Sequence, residues 1–423
     1  MSGPVLQELR PARRTDLLVG PPVLRGPVEL HLVKDPVGGG RYELRAKEWF
    51  VLCRLDGRRT LREVGEEYAR RFGSRLGDAH WEHLLRLLYG RGLMADGPRP
   101  DPRPVAGPAG TTGPEVRRRS TVLSGSTRLV ADAPALLDRL HARTAFARTR
   151  WFGTLLLALS GALTVLLAAR TGELLRDLGR LSEQPVLLLA VGTVLWTSLA
   201  LHELAHGVVG RAYGGRVTEI GLRWRLPVTY LYCRVEDVPF FARRRHQVAT
   251  AAAGAVANLA FLLPCYPVWL VLPDGSARHG LGGLLLLGAA MGLANLVPLP
   301  PLDGYKLLGY ALGVSRLAEG SRRFLRLAAV GAAGRGEGIA AYGTRARLVY
   351  GGYGLLAGLL LGGPAAGAVA GASTLLAHRY GGGAALVPPL LVAAALLLWA
   401  AGLTARRRRD RRAAARSVSL RQN

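Results

Sequence analysis

Leu201-His202-Glu203-Leu204-Ala205-His206 lies inside the apolar run Pro185–Gly210. Two histidines four residues apart share one face of a helix. Their imidazoles can then bind one zinc ion, and the glutamate between them can act as general base toward a water held beside them. The flanking run is long enough for a membrane span, where ionisable side chains are costly and mark function. The bland alternative is a chance HExxH on a surface helix. It fits poorly, because the chain has only 9 histidines in 423 residues and these two fall in its apolar part.

Five further stretches have span length and composition, which makes the expected fold a polytopic α-helical membrane protein of about six transmembrane helices. They are Trp151–Ala169, Val248–Leu272, Leu281–Leu299, Leu348–Leu376 and Ala384–Thr404, with Pro185–Gly210 second in order. The fifth of the six is long and Gly-rich, so a tilt or a break is expected there. Basic residues crowd the alternate loops. Arg211, Arg216, Arg223, Arg225, Arg234 and Arg243–Arg245 separate spans two and three. Lys306, Arg316, Arg322, Arg323, Arg326, Arg335, Arg345 and Arg347 separate four and five, and Arg406–Arg409, Arg411, Arg412, Arg416 and Arg421 fill the tail. The opposite loops hold only Arg170, Arg176, Arg180, Arg278 and Arg379. The positive-inside rule then puts both termini in the cytoplasm and places His202–His206 near the cytoplasmic end of span two.

The net charge of +27 would suit nucleic acid, but all of the 56 basic residues except Lys34, Lys47 and Lys306 are arginine. With 55 glycines and 25 prolines this points to coding bias. The arginines also alternate with the spans as topology demands, so no nucleic-acid partner is expected and contact with anionic membrane lipid is. Cys53, Cys233 and Cys265 form no CxxC, which argues against a disulfide framework or a thiolate metal site. No apolar signal-peptide core occupies the first thirty residues or so.

Two histidines leave a tetrahedral zinc short of a third protein ligand, with one position open for chemistry. Asp303 is the best candidate. It sits in Asn295-Leu296-Val297-Pro298-Leu299-Pro300-Pro301-Leu302-Asp303-Gly304, on the same side of the membrane as the histidines. The prolines stop a regular helix, and Gly304 is expected to free the backbone after Asp303. The rival role for Asp303 is capping the helix that follows. Glu219, Glu236 and Asp237 are competing carboxylates in the loop Val217–Phe240, which reads as short strands or a re-entrant hairpin able to pair with an extended substrate. His246, His279 and His378 lack partners at ligand spacing. His31, His80, His83 and His141 suit packing or surface roles.

HExxH in one span followed by N-x-x-P-x-x-x-L-D-G in a later one resembles the site-2 protease-like intramembrane zinc metallopeptidases, over about residues 150–310. The resemblance implies His202, His206 and Asp303 as ligands of Zn²⁺ and Glu203 as catalytic base, with Asn295 positioning substrate. Gly254-Ala255-Val256-Ala257-Asn258 is similar to the family's G-P-x-x-N element, with Ala255 in place of proline and Asn258 retained. For both asparagines the alternative is interhelical hydrogen bonding.

The polar first quarter reads as a small α+β, winged-helix-like domain, residues 1–94. Val28–Val33 and Tyr42–Leu44 alternate as strands about Gly38-Gly39-Gly40. Helices follow at Ala46–Leu55, at Thr60–Phe72 behind the capping box Thr60-Leu61-Arg62-Glu63, and at Asp78–Tyr89. With Val33-Lys34-Asp35-Pro36 and Leu55-Asp56-Gly57-Arg58-Arg59-Thr60, this order resembles PqqD-like domains, the peptide-recognition elements of ribosomal peptide natural-product (RiPP) pathways. That implies capture of a precursor's leader peptide as an added strand; a winged helix with a structural or DNA-binding job is the alternative. Residues 95–150 read as a Pro/Gly-rich linker ending in a membrane-proximal helix, Ala133–Ala145. Residues 151–404 form the metallopeptidase domain and 405–423 a basic cytoplasmic tail.

No inserted PDZ-like domain is visible, and the leading module is similar to that of RiPP-associated peptide zinc metalloproteases. The implied activity is hydrolysis of a peptide or membrane-anchored protein substrate at a bacterial inner membrane, first of all leader removal from a RiPP precursor. In that reading the module raises the local concentration of the leader. Regulated intramembrane proteolysis of a signalling protein is the alternative. A non-enzymatic peptide carrier or immunity protein is a further one, which Glu203 beside a complete ligand set argues against.

Overall fold

A computed structural model describes residues 4–97, 123–144, 149–225, 228–332 and 339–394. Most of the Pro/Gly-rich linker, Arg117–Arg119, Arg335, the sixth expected span beyond residue 394 and the basic tail lie outside the described residues. The chain divides into two compact units, Met1–Tyr350 and Gly351–Asn423.

The N-terminal domain begins with a short helix α1 (Pro4–Gln7) and builds a four-stranded sheet from β1 (Leu18–Val19), β2 (Val23–Arg25), β3 (Val28–Lys34) and β4 (Arg41–Arg45). Central β3 pairs with β1 and β2 on one side and β4 on the other, all antiparallel. The expected hairpin and three helices are present as β3–β4, α2 (Ala46–Arg54), α3 (Leu61–Phe72) and α4 (Asp78–Gly90). Thr60 and Glu63 close the capping box reciprocally at the start of α3. Val33, Leu44, Leu52, Leu55, Leu61 and Leu88 are fully buried between sheet and helices. β1 and β2 were not expected; two- and three-residue strands carry too little alternation to be read.

Between this domain and the long helices, β5 (Ser124–Arg128) lies in the region expected to be linker, and α5 (Ala133–Arg143) matches the helix expected there. Helices α6 (Arg150–Ala169), α7 (Thr171–Ser182) and α8 (Pro185–Ala212) follow, then a hairpin of β6 (Val217–Arg225) and β7 (Val228–Val235). β5 pairs with β6, so the expected hairpin is the larger part of a three-stranded sheet, order β5-β6-β7. A single 3₁₀ turn, Val238–Phe240, leads into α9 (Arg244–Leu262), α10 (Cys265–Val271) and α11 (Ser276–Ala294). α12 (Asp303–Leu312), α13 (Leu317–Ala332) and α14 (Thr344–Tyr380) complete the long elements.

Five helices among the described residues are long and apolar enough to cross a membrane: Trp151–Ala169, Pro185–Ala212, Arg244–Val271, Ser276–Ala294 and Thr344–Tyr380. Large apolar side chains stand exposed on them, among them Trp151, Leu189, Val186 and Leu157, a surface that water disfavours and lipid accepts. The fifth span is one continuous 37-residue helix through Pro364 rather than a broken one. The sixth expected span opens as a 3₁₀ turn, Gly382–Leu386, with an apolar helical stretch to Ala394.

α7 was unexpected, because its charges disguise an amphipathic helix. It buries Leu174, Asp177 and Leu181 against α11, whose Gly282 and Gly283 leave room for the Asp177 and Leu181 side chains. The Asp177 carboxylate accepts a 2.7 Å hydrogen bond from Trp269 Nε1. Leu174, Leu181 and Trp269 join Leu259, Leu262 and Leu285 in the core among the long helices.

Candidate metal centre

α8 carries His202 and His206 on one face, one turn apart. α12 begins with Asp303. The three donor atoms converge: Asp303 Oδ2 lies 2.9 Å from His202 Nε2 and 3.0 Å from His206 Nε2, and the two Nε2 atoms are 3.2 Å apart. His202 and Asp303 are buried, and the His206 side chain is 13% exposed. This is the group of His, Cys, Asp and Glu among the described residues whose donor atoms lie close enough to hold one metal ion.

Three features fit such an ion. Thr250 O on α9 lies 2.6 Å from His206 Nδ1, so Nδ1–H donates to this carbonyl and the Nε2 lone pair faces the centre. Gly254, one turn along α9, leaves the space beside the imidazoles open: a Cβ there would fall 2.5 Å from His206 Nε2. Two imidazoles and a carboxylate are a donor set for a borderline divalent cation.

Asp303 does not cap the helix it opens. The N-cap position is Leu302, which makes no side-chain cap, while the Asp303 carboxylate is shared between the imidazoles and Lys306. Lys306 Nζ donates to Oδ1 at 2.9 Å, leaving Oδ2 for the histidines. Sequence reasoning counted Lys306 only as a loop charge. The missed signal was its place at i+3 from Asp303 on one helix face, in a chain that otherwise prefers arginine.

Gly304 acts by proximity rather than by backbone freedom, which corrects the expectation. Its N–H donates to Asn295 O at 2.7 Å, and a Cβ there would collide with the Leu296 carbonyl. The turn from α11 into α12 is thus folded tightly on itself, and this fold carries Asp303 back to α8.

Glu203 is half-buried and turned toward the sheet, where its Oε2 accepts from the Cys233 main-chain N–H of β7 at 3.1 Å. The Cys233 thiol is pushed up to about 12, by burial first and then by the Glu203 charge, so it stays protonated near neutrality. Asn258 lies one turn beyond Gly254 on the same face of α9. It is 2% exposed, and neither amide atom has a hydrogen-bond partner. Asn295 sits at the end of α11, and its main-chain carbonyl, not its side chain, holds the turn. The competing carboxylates are engaged elsewhere. Glu219 accepts from Tyr232 Oη at 2.7 Å, and Glu236 and Asp237 pair with Lys34.

No family model, no curated protein and no solved structure matches this chain.

Proposed function

We propose that the chain is an intramembrane zinc metallopeptidase that hydrolyses a peptide bond of a membrane-associated peptide, with the site near the cytoplasmic face of a bacterial inner membrane. The observation that carries this reading is the convergence of His202, His206 and Asp303 on one point, with Glu203 on the same helix turn but outside the ligand set. Zinc suits two imidazoles and one carboxylate with an open position. When bound, it would supply Lewis acidity toward a water and the scissile carbonyl.

The chain's own groups do the remaining work. Glu203 takes the attacking water's proton on Oε1 and delivers it to the leaving amine, while the Cys233 N–H holds Oε2 and fixes the carboxylate. Lys306 holds Asp303 by its Oδ1 and so turns Oδ2 toward the histidines. Asn258 offers a buried, unpartnered amide to a polar group of the substrate, and Asn295 holds the turn that presents Asp303. The outer edge of β7 lies along α8, where Trp196 Nε1 reaches Thr229 O at 3.4 Å and Glu203 takes the Cys233 N–H.

The likeness of residues 1–94 to peptide-recognition domains makes a RiPP precursor the substrate of choice, with leader removal the reaction. Co-expression with a small precursor encoded beside this chain, followed by mass spectrometry, tests it. Glu203→Gln is expected to abolish processing by about 10²–10⁴-fold while the metal stays bound. Processing that survives Glu203→Gln overturns the mechanism.

A further inference from the structure

The N-terminal domain meets the membrane part at a built interface: Gly26 N–H donates to Tyr350 Oη at 2.8 Å on α14, and most of the other contacts fall on segments next to the metal centre. Lys34, at the end of β3, points out of its own domain. Its Nζ donates to Asp237 Oδ1 at 2.5 Å and to Glu236 Oε2 at 3.3 Å. The Lys34 and Asp237 side chains are 5% and 4% exposed. Asp237 lies two residues past the end of β7, in a left-handed backbone conformation with φ 72°. Gly20 lies against the Pro239 carbonyl so closely that no Cβ would fit. Arg216, entering β6, donates to Pro36 O at 3.1 Å.

The β1–β2 segment reaches the other two elements of the site. Leu24 N–H donates to Gly313 O at 2.8 Å and Ser315 N–H to Leu24 O at 3.0 Å, a bridge onto the end of the helix that begins with Asp303. Arg244, the first residue of the helix carrying Thr250, Gly254 and Asn258, donates to Pro22 O at 2.6 Å. The domain therefore grips the ends of β7, α9 and α12 together, rather than hanging from them on a linker.

We propose that Lys34 is a positioning residue for Glu203: through Asp237 it anchors β7, whose Cys233 N–H orients the Glu203 carboxylate. The first link is strong because a buried lysine–carboxylate pair is costly to break from one side only. The second is short, since Cys233 lies four residues before Asp237, and β7 ends at Val235, two residues before it. The domain is on this account part of the site's scaffold, and any peptide that it binds is held at a fixed distance from Glu203.

The catalytic arm rests on the peptidase reading, so the test has an arm that does not. Amide exchange is followed by mass spectrometry on the full-length protein in detergent, without substrate. Lys34→Met is expected to speed exchange across residues 229–235 about tenfold while residues 61–88 of the N-terminal core stay as in wild type. Where cleavage is measured, kcat falls about tenfold, with KM and zinc affinity changed less than about twofold. Lys34→Met/Asp237→Asn removes both charges and keeps a side chain tolerant of the left-handed backbone, and it returns exchange to within about threefold of wild type. Unchanged exchange at 229–235 in Lys34→Met overturns the proposal. So does exchange that rises equally in residues 61–88, which marks unfolding, or a double variant no better than the single one. If wild-type protein shows no cleavage of any precursor, the peptidase reading falls, and the exchange arm alone decides whether Lys34 anchors β7.

Discussion

His202 and His206 reach the centre from one helix, where a spacing of four residues puts both rings on one face. Asp303 reaches it from a turn about a hundred residues later, and no helix spacing aims it; the close contacts of that turn do. The α8 half of the site is set by helix geometry. The α12 half is set by packing: the Gly304–Asn295 hydrogen bond, the close pass of Gly304 over Leu296, and Lys306 on Oδ1. A site built from one rigid and one packed half keeps its ligand types under mutation of the packed half and loses their convergence.

The sharpest way to break the comparison is to remove one ligand from each half. His206→Ala and Asp303→Ala are each expected to lower metal affinity by more than about 100-fold, beyond the cost of losing an outer partner, by metal analysis of purified protein. Equal losses would show that the packed half delivers a true ligand. A retained metal in Asp303→Ala would leave only the helical pair as the site.

Next in size are the two glycines. Gly254→Ala puts a methyl between the imidazoles and is expected to destabilise by about 1–3 kcal/mol and to lower metal affinity with it. Gly304→Ala forces the turn away from Leu296 at a similar cost of about 1–3 kcal/mol in stability, read as a shift in the denaturation midpoint. It should spare a weak metal site made by α8 alone, which spectroscopy of a cobalt-loaded protein would detect as a changed coordination.

The smallest effect is at Lys306. Lys306→Gln removes the charge from Oδ1 but keeps a donor, and metal affinity should fall about tenfold by calorimetry. No change would mean that the ion pair, 57% exposed on the lysine side, is only a surface contact.

Much of this site was legible in the chain. His202, Glu203 and His206 were readable because helix spacing is a local property. Asp303 was readable because prolines on one side and glycine on the other announce a turn at the end of a span. The hairpin, the three helices and the Thr60–Glu63 box of the N-terminal domain followed from periodicity and capping chemistry. The opposite holds for α7, whose Glu173, Arg176, Asp177 and Arg180 read as a polar loop until Asp177 finds Trp269. β5 was hidden in Ser124-Gly125-Ser126-Thr127-Arg128, which has no apolar face and is a strand because β6 supplies its hydrogen bonds. Glu236 and Asp237 looked like spare ligands, and only their distance to Lys34 assigns them to the interface.

The sequence by itself determined which residue types could hold a metal, the face of α8 that bears them, and which long helices around them are apolar enough to cross a membrane. Each follows from interactions within a few residues or from the overall apolarity of a segment. Only the tertiary structure decided that Asp303 meets both imidazoles, that Gly254 is small for their sake, that Glu203 is held by β7, and that Lys34 is buried against Asp237. Those contacts join residues tens to hundreds of positions apart, where no local preference acts and the packing of helices and sheets alone fixes distance.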